Sequence, residues 1–291
     1  MENEIVLKIA TLNLNGETWC SINRRPRLPQ KLFSIQSIKK ELTNLTKTGL
    51  KNLLKGGEYD VIAIQELIYT PKEINAIKKA IEGVKDASKK QLYELLLPNN
   101  LGGHTHFTVG FIVKKQLSAN LKNENQGKNG ENFLGKNRIS VLELTINGKK
   151  YSLINMHVNN HNIDIPNPGV DGNIPIPDDA GNIPIPVDVG NTILLGDMNA
   201  CTENQATDNK AVNDNFLKKI ESVGWSEIGG NDNYTWKSNN IEKKLDHIYI
   251  CKASQKEKRK IKVKKKKVNF YYDKTNGFTD HSMLVSTLVF Y

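Results

Sequence analysis

Residues 191 to 200 read Asn-Thr-Ile-Leu-Leu-Gly-Asp-Met-Asn-Ala, and they leave the fold little choice. A run of strand-favouring apolar residues, Ile193-Leu194-Leu195, stops at Gly196, and a carboxylate and a carboxamide follow two positions apart. Residues i and i+2 of an extended backbone project to the same side, so Asp197 and Asn199 share one side of a strand's carboxyl end. There the carboxylate can take a proton or a metal ion while the amide positions what it acts on. The same residue types are ordinary turn formers, so the stretch gains meaning only from others like it.

The pattern recurs along the chain. Ile5, Leu7 and Ile9 alternate with Val6, Lys8 and Ala10, which predicts a mostly buried strand with Asn13 and Asn15 at its end and Gly16 free to turn. Ile35, Ile38, Leu42, Leu45, Leu50, Leu53 and Leu54 fall near helical spacing, and Gly56-Gly57 stops that helix. Residues 59–66 form a second strand that ends in Glu66. A strand, helix, strand unit makes parallel neighbours, so Glu66 is expected near Asn13. Residues 71–97 contain a second helical region; residues 107–113 and 139–146 read as strands joined by a Lys, Asn and Gly-rich loop. Gly148 turns the chain into residues 151–156, and this strand finishes at His157. After Asp197 a helix is expected over residues 213–223. Asp246 opens a strand, residues 244–250, and Asp280-His281 precede the last one, residues 283–290.

At 291 residues a single α/β unit with one large core is expected. The formal charge of +10 is local: residues 256–267 hold nine Lys or Arg and one Glu, a net of +8 that leaves +2 for the remainder. Within this run Ile261 and Val263 alternate with lysines and Val268, Phe270 and Tyr272 follow in the opposite parity, which implies a turn or bulge between them. Cys20, Cys201 and Cys251 are too few and too scattered for a disulfide framework or a thiolate zinc site, which suits a reducing, cytoplasmic compartment. The amino terminus lacks the features of a secretory signal, and no window approaches the ~20 apolar residues of a membrane span.

Between His157 and Asp197 the motif Asn-Ile-x-Ile-Pro occurs three times, starting at Asn162, Asn173 and Asn182. Prolines this dense forbid a helix and confine strand pairing to edges, so an extended, surface-laid arm is expected. A small repetitive edge structure, a partner-binding loop and filler all satisfy the sequence.

Six of these stretches, TLNLNG at 11–16, DVIAIQE at 60–66, INMH at 154–157, LLGDMN at 194–199, KLDHIYI at 244–250 and TDHSML at 279–284, occur in the order and approximate spacing of a known family. The chain resembles the endonuclease/exonuclease/phosphatase superfamily, the deoxyribonuclease I-like fold. That resemblance implies an α/β (α+β) architecture, a four-layer α/β sandwich with two mixed β-sheets packed face to face and helices outside. It implies metal-dependent cleavage of a phosphoester with Mg²⁺, for which Mn²⁺ can substitute.

Carried over residue by residue, Glu66 resembles the main metal ligand, with Asn13 or Asn15 close by and Asp280 as a metal-side carboxylate. Asp197 resembles the base that orients or deprotonates the attacking water, and Asn199 its neighbour that holds phosphate or water. Asp246 resembles the orienter of His281, whose protonated ring would contact the phosphoryl oxygen. His157 resembles a second histidine found in the deoxyribonuclease I, sphingomyelinase and inositol-phosphatase branches. Two departures stand out. Asn15 occupies a position that is acidic in many relatives, and the Pro-rich arm replaces the helix that usually joins the His157 strand to the Asp197 strand, which puts the layer count on that side in question.

The expected organisation is therefore one domain over residues 1–291, with the Pro-rich insertion at about 160–190 and a basic hairpin at about 255–268. A basic run favours a polyanion, with Lys264, Lys265, Lys266 and Lys267, and Asn15, as substrate-binding residues and DNA preferred over RNA. A phosphatase or phospholipid phosphodiesterase of the inositol phosphate or sphingomyelin type is the alternative enzyme. A catalytically silent binding module, with a protein partner on the Pro-rich arm, is the alternative of another class.

Overall fold

Thirteen stretches of chain carry the fold: the computed structural model describes residues 4–14, 35–68, 71–98, 107–121, 139–158, 174–176, 183–185, 191–222, 224–228, 234–238, 240–251, 261–269 and 279–290. The strands are β1 (Ile5–Asn13), β2 (Val61–Ile68), β3 (Tyr93–Leu96), β4 (Phe107–Lys114), β5 (Ser118–Leu121), β6 (Ile139–Ile146), β7 (Lys149–His157), β8 (Ile174–Ile176) and β9 (Ile183–Ile185). They continue with β10 (Thr192–Asp197), β11 (Trp225–Glu227), β12 (Trp236–Ser238), β13 (Ile241–Lys243), β14 (Asp246–Cys251), β15 (Ile261–Asn269) and β16 (Met283–Phe290). Helices are α1 (Ile35–Leu54), α2 (Pro71–Glu82) and α3 (Asp214–Ser222), with a short 3₁₀ turn at Glu203–Gln205.

Two six-stranded sheets form, ordered β15-β16-β1-β2-β4-β3 and β11-β14-β10-β7-β6-β5. Both are mixed: β1 with β2 and β10 with β7 run parallel, while their other neighbours are antiparallel. Alternation along the strands decides which residues go where. Leu7 and Ile9 of β1, Val61 and Ala63 of β2, Leu153 of β7, Ile193 and Leu195 of β10 and Ile248 and Ile250 of β14 meet in one core between the sheets. The opposite faces are covered separately. Ala10, Leu12, Ile62 and Ile64 pack under Leu50, Leu54, Ile77 and Ile81 of the first two helices, and Ile154, Leu194 and Tyr249 pack under Phe216, Leu217 and Ile220 of α3. The result is the four-layer sandwich, helix, sheet, sheet, helix. The outer layer over the second sheet comes from α3, which follows β10, so this layer does not depend on a helix before β10.

Several segments differ from expectation. The second helical region stops at Glu82, and Tyr93–Leu96 is a strand on β4 whose Tyr93 and Leu95 are buried alternately, a two-residue period inside what reads as a helical stretch. Of the basic run, Ile261–Asn269 is described and forms β15, at the edge of its sheet and antiparallel to β16, with the expected bulge between Val263 and Lys265; residues 255–260 of the expected hairpin lie outside the described residues. The second and third copies of the Pro-rich motif pair antiparallel through β8 and β9, with Pro175 opposite Pro184. Neither proline has an N–H to give, so they occupy a pair that exchanges no hydrogen bonds and leave the flanking isoleucines to do so. The first copy, at Asn162, lies outside the described residues, as does Asn15.

At the end of the sandwich where β2 begins, Asp60 accepts the Lys8 backbone N–H and the Lys114 ammonium, each at 2.7 Å. The catalytic candidates lie at the other end. Among the described residues no helix is long and apolar enough to cross a membrane.

Candidate active site

Every strand that supplies a candidate residue does so by running out of apolar partners at the same end of the sandwich. On β1 the inward series Leu7, Ile9 passes through Thr11 to Asn13; on β7 Leu153 passes through Asn155 to His157; on β10 Ile193 and Leu195 lead to Asp197. Register completes the assembly: Asp197 lies opposite His157 on one side and opposite Asp246 on the other, and Asn13 lies opposite Gln65. Gly196 makes the approach of β10 to β7 possible. Its φ is +140°, and a Cβ there would fall 1.9 Å from the Met156 carbonyl oxygen.

Glu66 reaches the site by an irregularity. The pairing of β2 with β4 breaks between Ile64 and Leu67, and Glu66 has φ +50°, which few non-glycine residues adopt. Ile62 and Ile64 face the helices, and after the break it is Leu67 that rejoins them, one place out of phase. Glu66 is thereby released from the helix side. Its Oε1 accepts the Asn13 amide at 3.0 Å and lies 3.2 Å from His157 Nε2.

Asp197 is the hub. Its Oδ2 accepts the Asn13 amide at 2.7 Å, its Oδ1 accepts the Asn199 backbone N–H at 2.8 Å, and it lies 4.0 Å from His157 Nε2 and 3.9 Å from His281 Nε2. Asn199 takes φ +45°, and its side-chain amide donates to the Val158 carbonyl at 3.0 Å, so it braces the loop while its backbone orients the carboxylate. Asp246 Oδ2 accepts from His281 Nδ1 at 2.8 Å, which aims Nε2 into the site. Asp280 Oδ1 stands 3.9 Å from that nitrogen, and its Oδ2 accepts the Trp236 indole N–H at 3.2 Å.

Charge crowding sets the proton affinities. Burial, with the Asp246 charge behind it, raises the Asp197 carboxyl above the ordinary carboxylate range against His281, His157 and the Asn13 amide. Burial, then the Glu66 charge, raises Asp280 against His281 and Trp236. For His281 burial opposes the charged form, but Asp246, by charge and by hydrogen bond, and then Asp197 and Asp280 outweigh it and push the imidazole up to about 10.

Glu66, His157 and Asp197 bring ligand atoms within 4.8 Å of one another, and so do Asp197, Asp246 and His281. Asp280 belongs to neither group. Asp246 Oδ1 and Asp280 Oδ1 are buried with no hydrogen-bond partner among the described residues. Hard oxygen donors in excess over imidazoles, with carboxylate lone pairs left over, fit a divalent cation such as Mg²⁺ or Mn²⁺.

Five contributors were not singled out from the sequence. Thr235 Oγ1 accepts the backbone N–H of Leu245 and Asp246, each at 3.0 Å, and Thr279 Oγ1 donates to the Asn13 carbonyl at 2.7 Å. Gln65 and Asn155 form a buried rung with Thr11 beneath the site. Their sequence signal was available: Thr11 and Asn155 are the polar residues two places before Asn13 and His157 on otherwise apolar strand faces. The lysine strand stands apart from this cluster at the sheet edge, although its register, with Lys267 opposite Val285 and Asn269 opposite Met283, brings its carboxyl end to the same end of the sheet as Asp280 and His281.

Solved structures share this fold over almost the full chain. The endonuclease domain of TRAS1, a telomere-specific non-LTR retrotransposon, is 12% identical with a TM-score of 0.55, covering 98% of each chain. TDP2 of D. rerio, complexed with a single-strand DNA product, is 15% identical over 97% of this chain and 98% of that one, with a TM-score of 0.53. A protein from Leptotrichia buccalis C-1013-b is 17% identical over 97% and 99%, also at 0.53. Such identities carry the fold alone, and that fold is the deoxyribonuclease I-like α/β sandwich. No curated protein matches the sequence. The chain belongs to the endonuclease/exonuclease/phosphatase family, whose model matches residues 10–263.

Proposed function

We propose that the chain is a Mg²⁺-dependent nuclease that hydrolyses DNA phosphodiesters by in-line attack of water. The observation that carries the reading is the position of Asp197, shared between a cation-competent group with Glu66 and His157 and an Asp246-His281 dyad. Glu66, His157 and Asp197, with Asp280 near them, would hold the cation. Bound there, it supplies charge to the phosphoryl oxygens and polarises water. Asp197, held from both oxygens and raised in proton affinity, orients the attacking water and accepts its proton. His281, fixed by Asp246 and protonated at neutral pH, donates to a phosphoryl oxygen as charge builds in the pentacovalent transition state. Asn13, anchored between Glu66 and Asp197, keeps the two carboxylates in one register.

A nucleic-acid substrate is supported by the lysine strand. β15, the register partner of β16, carries lysine at four successive positions, Lys264 to Lys267, a density of positive charge that suits sequence-independent contact with phosphates. The endonuclease domain of TRAS1 and the single-strand DNA product in complex with TDP2 point the same way. The test presents the purified protein, with Mg²⁺, Mn²⁺ or EDTA, to plasmid DNA, RNA, inositol phosphates and sphingomyelin in parallel. Cation-dependent nicking of plasmid is expected. Hydrolysis confined to inositol phosphates or sphingomyelin, or activity that survives excess EDTA, overturns the reading.

A further inference from the structure

Beneath the site lies a polar rung whose role the chemistry above does not use. Asn155 of β7 reaches from the second sheet across to the first, and its Nδ2 donates to the carbonyls of Ile64, at 3.0 Å, and Gly110, at 2.8 Å. Those two residues form the last register pair of β2 and β4 before the break that contains Glu66. Asn155 Oδ1 accepts the Gln65 amide at 2.6 Å, and Gln65 is tied in turn to Thr11 Oγ1 at 3.0 Å and 3.2 Å. Thr11, Gln65 and Asn155 are all essentially inaccessible to solvent. The Asn155 amide spends both its N–H groups on one strand pair of the opposite sheet, at the step where that pair loses register.

We infer that Asn155, with Gln65, is a positioning residue for Glu66: it holds open the bulge that turns the glutamate out of the helix-facing series and into the cation site. Three facts support this. A bulge is an extra residue that must be stabilised by something other than the ladder it interrupts, and here the clamp comes from the sheet across the core. Glu66 sits at φ +50°, a conformation that persists where surrounding contacts over-determine it. Finally, the clamp and the contacts of Glu66 are on the same strands one inward step apart: Thr11 precedes Asn13 on β1, and Asn155 precedes His157 on β7. The two sheets are therefore keyed at the level of Gln65 before their side chains converge on Glu66. An apolar residue at 155 would fill the space but donate to neither carbonyl, and the bulge would be free to relax toward a regular register that returns residue 66 to the helix side.

The inference rests on the reading of Glu66 as a cation ligand, and the experiment separates the two. Mn²⁺ affinity is measured on the intact protein by electron paramagnetic resonance, below the melting temperature of every variant, together with thermal stability and hydrolysis of bis-p-nitrophenyl phosphate. Asn155→Leu is expected to weaken Mn²⁺ binding by about 10–100-fold, the range of residues that act through a ligand. Paired with Gln65→Met it should regain the part of the stability lost by leaving Gln65 against an apolar neighbour, yet leave Mn²⁺ affinity low, because the Ile64 and Gly110 carbonyls still lack their donor. Leu153→Ala, on the same strand and in the inter-sheet core, should lower stability and leave Mn²⁺ affinity unchanged. Recovery of affinity along with stability in the double variant overturns the inference, as does unchanged affinity in Asn155→Leu alongside a loss in Glu66→Gln. Equal Mn²⁺ affinity in Glu66→Gln and the unaltered protein would instead remove the reading of Glu66 as a ligand.

Discussion

Exchanging Glu66 for glutamine changes almost no volume and removes one charge, so it separates the cation from the fold. Glu66→Gln is expected to melt within a few degrees of the unaltered protein, to bind Mg²⁺ weakly and to lose nearly all turnover; calorimetric titration with Mg²⁺ beside a melting curve checks both halves. The Asp246-His281 pair makes a pH prediction. His281 works as the imidazolium, so activity that depends on it is lost as pH rises through its proton affinity, which the site holds at about 10. Asp246→Asn removes the charge that does most to offset burial, so the alkaline fall in rate should move to lower pH and neutral turnover should drop by roughly 10²–10⁴-fold. His281→Ala should cost a similar amount and the double variant little more, because the two act as one unit. Fully multiplicative losses in pH-rate profiles of the three variants would separate them. At Gly196 the expectation is structural: Gly196→Ala forces a side chain into φ +140° and onto the Met156 carbonyl, and should destabilise by at least about 3 kcal/mol in denaturant titration.

Strand β15 is the element whose role is most open to measurement. Replacing Lys264 to Lys267 with serine should weaken binding to polynucleotides uniformly across sequences. The slope of log K against log salt should become shallower by about 0.9 for each duplex phosphate that a lysine no longer neutralises, or about 0.7 on single strands. Hydrolysis of bis-p-nitrophenyl phosphate should be spared, since that substrate is too short to need the strand. Loss of both activities together would implicate β15 in holding β16, its register partner; loss of neither would make the lysines a protection of an exposed sheet edge and nothing more.

Stability of the complete fold should carry two opposing pH signatures. Glu227 is held down to about 2: burial raises it, but His247 and Lys244 outweigh that, so its contribution is present above about pH 4.5 and is lost as pH falls from there toward 2. That contribution is on the order of 3 kcal/mol. Asp197 and Asp280 are raised, chiefly by burial, so in the metal-free protein they penalise folding as pH climbs out of the ordinary carboxylate range. Metal-free protein should therefore melt highest at mildly acidic pH. Mg²⁺, binding the folded state, should raise the melting temperature at neutral pH far more than at pH 5. A melting temperature indifferent to Mg²⁺ at neutral pH would contradict the assignment of these carboxylates to a cation.

Much of this could be read from the chain alone, because it is local. Strand ends are written as an apolar run followed by a polar residue, and the order of the motifs around Asn13, Glu66, His157, Asp197, Asp246 and His281 carries the family resemblance that implies a double sandwich. The boundaries of α1 and β16 follow from periodicity and from Gly56-Gly57 in the same way. What local pattern does not contain is register between distant segments. The break that frees Glu66 depends on β4 and on Asn155, 90 residues beyond Gln65, and nothing in DVIAIQE announces it. The edge position of the lysine run depends on its pairing with β16, and the strand character of Tyr93–Leu96 on its pairing with β4. Side-chain period records which face a residue prefers; which strand it lies beside, and where that pairing slips by one, is settled only when the two sheets close on their shared core.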